Sequence, residues 1–234
     1  MNKQIVLLSF IMIAALAVFG FSPGTGDKTI ALAVKIIHDV SRKPSDLDWT
    51  NAKKGDLLFS GDQVRTGDRS IAIVKFKDKS MIRVRQNSEL KIFGDNKDGA
   101  FNKTVNLLRG EFSFDIQKQE DEKFTFTTPT SVAAIRGTEG TFIEGETGDL
   151  LVVLHGLVNF LNTLSNNNVD VHDGETGVSN SDGTVFSRAS TPEEKDAAQA
   201  ALNAALQSGS VKEMDLEFKD KDGSKKKLRI HYRN

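Results

Sequence analysis

Residues 55–90 read GDLLFSGDQVRTGDRSIAIVKFKDKSMIRVRQNSEL, and this stretch decides the fold class. Ala72, Val74 and Phe76 alternate with Lys75 and Lys77, and Ile82 and Val84 alternate with Arg83 and Arg85. Successive strand residues point to opposite faces, so the pattern spells two half-buried strands with one apolar face and one wet face. Asp78-Lys79 supplies the turn between them without a glycine for positive φ, so an ideal two-residue turn is not expected. Ahead of this hairpin, Gly-Asp pairs recur at Gly55-Asp56, Gly61-Asp62 and Gly67-Asp68. Each glycine permits a tight change of direction and each Asp can accept from neighbouring amides. The residues between them, LLFS and QVRT, do not repeat in kind, so the pairs read as corners and not as a repeat array.

Working outward, period-two stretches bounded by Gly, Asp and Asn predict strands near 34–40, 70–77, 80–86, 89–93, 103–108, 111–116, 122–128, 131–136, 150–154 and 157–161, with weaker ones to 186. Spacing of about ten residues, and no helix before 190, predicts an all-β fold: a compact β-solenoid or roll, or a sandwich of short strands. Thr191-Pro192-Glu193-Glu194 is a helix start, with a capping threonine, proline at the first helical position and glutamate at the third, leading into an Ala-rich helix to about Gln207. Beyond it, Met214, Leu216 and Phe218 and then Leu228, Ile230 and Tyr232 alternate with charged residues around Asp222-Gly223, predicting a terminal β-hairpin. The expected organisation is a leader over 1–33, a β-domain over 34–190, and a helix plus hairpin over 191–234.

The leader is read from Ile5 to Phe21, an uncharged apolar run behind Lys3. Its length suits either a signal peptide, with Ala31-Leu32-Ala33 as the cleavage site, or a retained membrane anchor. Both place the rest of the chain outside the cytoplasm, in the periplasm or beyond. Composition narrows the work done there. Net charge is −1, which argues against nucleic-acid binding. Zero cysteines exclude disulfides, thiolate metal sites and a lipid-modified cysteine. Fifteen Phe against one Trp and one Tyr suit a ring-packed core better than a stacking platform.

These strand motifs together resemble the FecR domain, the periplasmic module of bacterial sigma-factor regulators that also occurs in other exported proteins. The resemblance spans most of residues 53–185. It is carried by residues 55–90 with VNLLRGEFSFDI, FTFTTPTSVAAIRGTEGTF, LLVVLHGLVNF and GETGVS. Family members read Asp-Gly-Ser where this chain has Asp78-Lys79-Ser80, and phenylalanine where it has Gly140. The resemblance implies an all-β exported interaction module with structural roles at Gly61, Asp62, Thr66, Gly67, Asp78, Ser80, Gly110, Arg136, Gly137, Thr138 and Gly156. It also implies one partner class, a TonB-dependent receptor system. The familiar regulators carry a cytoplasmic anti-sigma domain ahead of the span, for which Met1 to Gln4 leave no room, so signalling would require a separate anti-sigma partner.

Candidate sites follow from the same residues. Lys75, Lys77, Arg83 and Arg85 project from one side of the hairpin and form a cationic ridge that could grip an anionic envelope polymer or an acidic protein face, with a solvated sheet face as the simpler reading. Arg136 could serve an anion-recognition loop, but fixing a chain reversal by bonding carbonyls is preferred. His38, His155, His172 and His231 sit singly, and the calcium-loop template fails around Gly99, Gly174 and Gly223. No nucleophile elbow, phosphate loop or dinucleotide fingerprint occurs, so neither cofactor nor metal is expected and recognition is favoured over catalysis, a periplasmic hydrolase being the less favoured class.

Overall fold

A computed structural model describes residues 29–97, 100–119, 123–207, 212–219 and 225–232, with Lys97, 205–207 and the last two segments described through their backbone. The apolar run Ile5–Phe21 and the Asp222-Gly223 turn lie outside the described residues.

The alternation at 71–76 and 81–84 does produce a hairpin, and the rest of the β-domain grows from it as a two-layered sandwich. The outer layer contains β1 (Ala31–Ile37), β4 (Leu57–Leu58), β6 (Ile71–Phe76), β7 (Met81–Val84), the second part of β9 (Ala100–Ile116), β12 (Thr138–Gly145), β13 (Gly148–His155), β16 (Glu175–Asn180) and β17 (Val185–Ala189). The inner layer contains β2 (Val40–Lys43), β3 (Thr50–Asn51), β5 (Gln63–Thr66), β8 (Glu89–Lys97), the first part of β9, β10 (Phe124–Thr127), β11 (Ser131–Ile135), β14 (Val158–Asn162) and β15 (Asn168–Val171). These pairs are antiparallel except β9–β10, which is parallel.

Between the layers, the phenylalanines form one connected packing. Phe112 meets Phe126 edge-on at 4.7 Å, Phe114 meets Phe126 at 4.9 Å, and Phe142 meets Phe160 at 6.0 Å. Each contact couples the two layers, because Phe112, Phe114 and Phe142 belong to the outer layer and Phe126 and Phe160 to the inner one. Edge-on ring pairs add about 0.5–1.5 kcal/mol each beyond their buried area.

Three expectations are corrected. The stretches 103–108 and 111–116 are one strand, β9, which changes layers at Gly110. Gly110 has φ +85°, and a Cβ there would sit 2.4 Å from Ser88 Oγ and 2.8 Å from its Cα, so only glycine lets the strand bend past β8. Residues 138–145, which lie outside the predicted strands, form β12, because Thr141, Phe142 and Ile143 carry strand character that the flanking glycines obscure. Finally, the strand expected over 34–40 begins earlier, β1 spanning Ala31–Ile37, with Ile30, Ala31 and Ala33 in the core.

Two of the three Gly-Asp corners behave as read. The Asp56 carboxylate accepts from the Lys53 amide (2.8 Å), and Asp62 accepts from Phe59 (3.1 Å) and Ser45 (3.2 Å). Asp68 instead meets the neighbouring Arg69 guanidinium at 3.2 Å. The turn after β6 is a three-residue one in which Lys79 takes φ +72°.

The capping signal at residue 191 folds as its spacing predicts, giving α1 (Pro192–Gln207). Thr191 Oγ1 accepts from the Glu194 amide (3.2 Å) while the Glu194 carboxylate accepts from the Thr191 amide (2.9 Å), a reciprocal capping box. The helix crosses the exposed face of the outer layer over β13, β12, β9 and β7. Ala198, Ala201 and Leu202 are its buried residues. The hairpin follows as β18 (Lys212–Lys219) and β19 (Lys225–Tyr232).

Candidate functional site

The β6–β7 register pairs Ile73 with Arg83 and Lys75 with Met81, so Lys75 and Arg83 occupy the same exposed-side face of the outer layer. The four cations of the ridge nevertheless live in different surroundings. Lys75 and Lys77 are exposed. Arg85 is half-buried, with Nε 3.5 Å from the Glu111 carboxylate. Arg83 is only 5% exposed, and its Nε and Nη1 have no hydrogen-bond partner. Burial lowers the Arg83 pKa from its ordinary value, against the opposing pull of Asp115 and Glu139.

Register explains this split. Arg83 pairs across to Ser113, Ser113 to Thr141 and Thr141 to Val152, and this row runs beneath α1. Lys75 lies on the next row, with Met81, Asp115 and Glu139, to one side of the helix. The register puts Lys75 and Arg83 on one face, but the helix that covers part of it is more than a hundred residues away and leaves no mark on the hairpin.

On the other side of the helix, a cleft of about 410 Å³ opens between α1 and the sheet. Its floor is Thr141, Ile143, Leu150 and Val152, and its wall is formed by Ala197, Ala198, Ala200 and Ala201. Arg85 and Glu111 close one end, and Glu193 and Glu194 stand at the helix start. The helix is latched there: Arg188 Nη2 lies 2.7 Å from Glu194 Oε1, and Thr176 Oγ1 donates to Glu194 Oε2 at 2.9 Å. The Arg188 guanidinium holds the Glu194 carboxyl down to about 2, with the Thr191 amide and the Thr176 hydroxyl acting in the same direction against burial.

Most of the remaining motif residues gather into three structural clusters. Thr66, next to Gly67, accepts from the Ser88 amide at 3.1 Å, and Ser88 Oγ accepts from Glu111 at 2.9 Å beside Gly110. Asp78 accepts from the Ser80 amide (3.0 Å), the Ser80 hydroxyl (2.9 Å) and Lys103 Nζ (3.0 Å), and Ser80 Oγ accepts from the Gln117 amide at 3.0 Å. Thr138 donates to the Leu157 carbonyl at 3.3 Å, which sets the Arg136-Gly137-Thr138 turn against Gly156. Arg136 itself is exposed and its Nε donates to the Gln119 carbonyl at 3.0 Å. Gly61 turns into Asp62, which is 2% exposed. At Gly140, a Cβ would lie 2.2 Å from the Val152 carbonyl, and the Phe114 ring fills the space beside it.

Sequence reasoning missed Lys103 and Asp149. Lys103 lies on the inward-facing row of β9 with Val105 and Leu107 and is 2% exposed, paired with Asp78. Asp149 is fully buried and accepts from the hydroxyls of Thr128, Thr130 and Ser131. Among the described residues, no group of three or more His, Asp or Glu is placed to hold a metal ion, and no helix is long and apolar enough to cross a membrane.

Comparison with known proteins agrees with the motif reading. No curated protein matches the chain. Two crystal structures of a protein assigned as an anti-sigma factor from Parabacteroides distasonis are similar, with TM-scores of 0.49 and 0.48 and sequence identities of 14% and 13%. In each case the match covers 64% of this chain and 66% of the other, just under two thirds of its length. The family model described as FecR protein matches residues 62–159, from the buried Asp62 corner through β9 and β12 to β14. Residues 62–159 of this chain are therefore similar to the FecR family.

Proposed function

We propose that the protein is an exported, non-enzymatic component of cell-envelope signalling, in which the FecR domain works by binding a protein or an anionic envelope polymer through the uncovered part of its outer layer. The FecR match carries the signalling part of this reading. Exposed Lys75 and Lys77, on the face that α1 leaves open, supply the binding surface. Arg83 and Arg85 contribute to the field of that face from beneath and beside the helix and not as free contacts.

A second reading is favoured by the same match: an anchored component, held by Ile5–Phe21, that passes a signal from a TonB-dependent receptor system to a separate anti-sigma partner. A photo-reactive residue placed at Lys77 in the full chain, expressed with its leader, tests the shared core of both. Cross-linked products are expected from Lys77 and not from Asn159 on the inner layer. Equal or absent products at the two positions contradict the proposal. Sequencing the mature amino terminus separates the readings, since only the second keeps residues 5–21.

A further inference from the structure

The cleft beside α1 is open because of the helix sequence. Ala197, Ala198, Ala200 and Ala201 face it with single methyl groups, leaving about 410 Å³ above Ile143 and Leu150. Partly buried apolar floor of this kind is costly to leave against water. Glu111 with its ion-pair partner Arg85 stands at one end, and Glu193 with the Arg188-latched Glu194 at the other.

A matching pattern occurs in the last strands of the chain. The β18–β19 register sets Lys212 opposite Tyr232, Met214 opposite Ile230, Leu216 opposite Leu228 and Phe218 opposite Lys226. By strand alternation these positions share one face, apolar in the middle with a lysine position at each end. A two-stranded hairpin is marginally stable in water by itself, so that face needs cover.

Dimensions and direction agree. Eight residues of strand extend about 26 Å, and the face from β7 to β17 is about 24 Å wide at about 4.8 Å per strand. Since α1 reaches β7 last, residues 208–211, spanning up to about 14 Å, allow β18 to start near Arg85 and Glu111 and run back beside the helix. That direction puts the Lys212 position at the Arg85–Glu111 end and the Lys226 position at Glu193, an opposite charge. We infer that the C-terminal hairpin docks by this face into the cleft of its own chain, completing the cover of the outer layer.

The chain has no cysteine, so introduced thiols are the only ones present. Full-length variants carrying L216C with I143C, and L216C with L150C, should form a disulfide within the monomer at least about tenfold faster than L216C with N159C on the opposite layer. A third variant, L216C with L228C, reports formation of the hairpin itself. Closure of that pair while both cleft pairs react no faster than the N159C control overturns the inference. So does cross-linking found only between chains, which would assign the cleft to a second copy.

Discussion

At the scale of single residues, the most consequential feature is the buried Asp78–Lys103 pair. Lys103 Nζ is 3.0 Å from Asp78, with 2% and 6% of the two side chains exposed. Removing Asp78 takes an ion-pair partner from a buried ammonium, and breaking a buried pair of this kind costs about 3–5 kcal/mol. Asp78→Ala should lose that much in urea unfolding, and a loss below about 1 kcal/mol would show that Lys103 finds other company. Arg136 sits at the other extreme. Its hydrogen bond to the Gln119 carbonyl is exposed, so Arg136→Ala should cost about 0.5–1.5 kcal/mol, and an unchanged unfolding midpoint would contradict its role in the turn.

The same residues show what was legible in the sequence. The Asp78-Lys79-Ser80 turn and the Gly-Asp corners were readable because their partners lie within a few positions, as with Asp62 and the Phe59 amide. Lys103 and Asp149 were not. Their partners are brought together by layer stacking: Asp149 meets Thr128, Thr130 and Ser131 across about twenty residues of chain, and nothing local marks a charge as buried. Arg83 failed for the same reason in reverse, looking wet from its alternation while a distant helix covers it.

Among the elements, the longer strands with clean alternation were predictable, whereas β5, four residues set between Gly-Asp corners, and the strands interrupted by glycine were not. Gly110 reads as a break but is the bend at which β9 leaves one layer for the other. The helix α1 was fully signposted by Thr191 and Glu194, yet its seat on the outer layer was not, since its buried face is a few alanines and Leu202. Such a shallow contact makes the latch at its start important. The folded-state pKa of Glu194 is depressed to about 2, so its contribution is complete above the unfolded value near 4.5 and is lost as pH falls from there towards 2. Far-UV circular dichroism and limited proteolysis across that window should show α1 leaving the sheet. Glu194→Gln should remove the pH dependence and weaken the helix seat by about 1–2 kcal/mol at neutral pH. An identical acid profile in the variant would mean that another group controls the transition.

For the whole molecule, a rigid two-layered β-domain presents one face divided by a helix. One side carries exposed lysines and the other an apolar cleft between carboxylates. Net charge near zero means that any cationic attraction must come from this local arrangement and not from the chain as a whole. The measurement that bears most directly on the proposed role is retention of the full-length exported protein on isolated envelope fractions as salt is raised, compared between the native chain and Lys75→Glu with Lys77→Glu. Because both positions are solvent-facing, folding should be untouched. The proposal predicts retention that falls steeply with salt in the native chain and is reduced at least about tenfold at low salt in the variant. Equal, salt-independent retention of the two proteins would contradict recognition through this face.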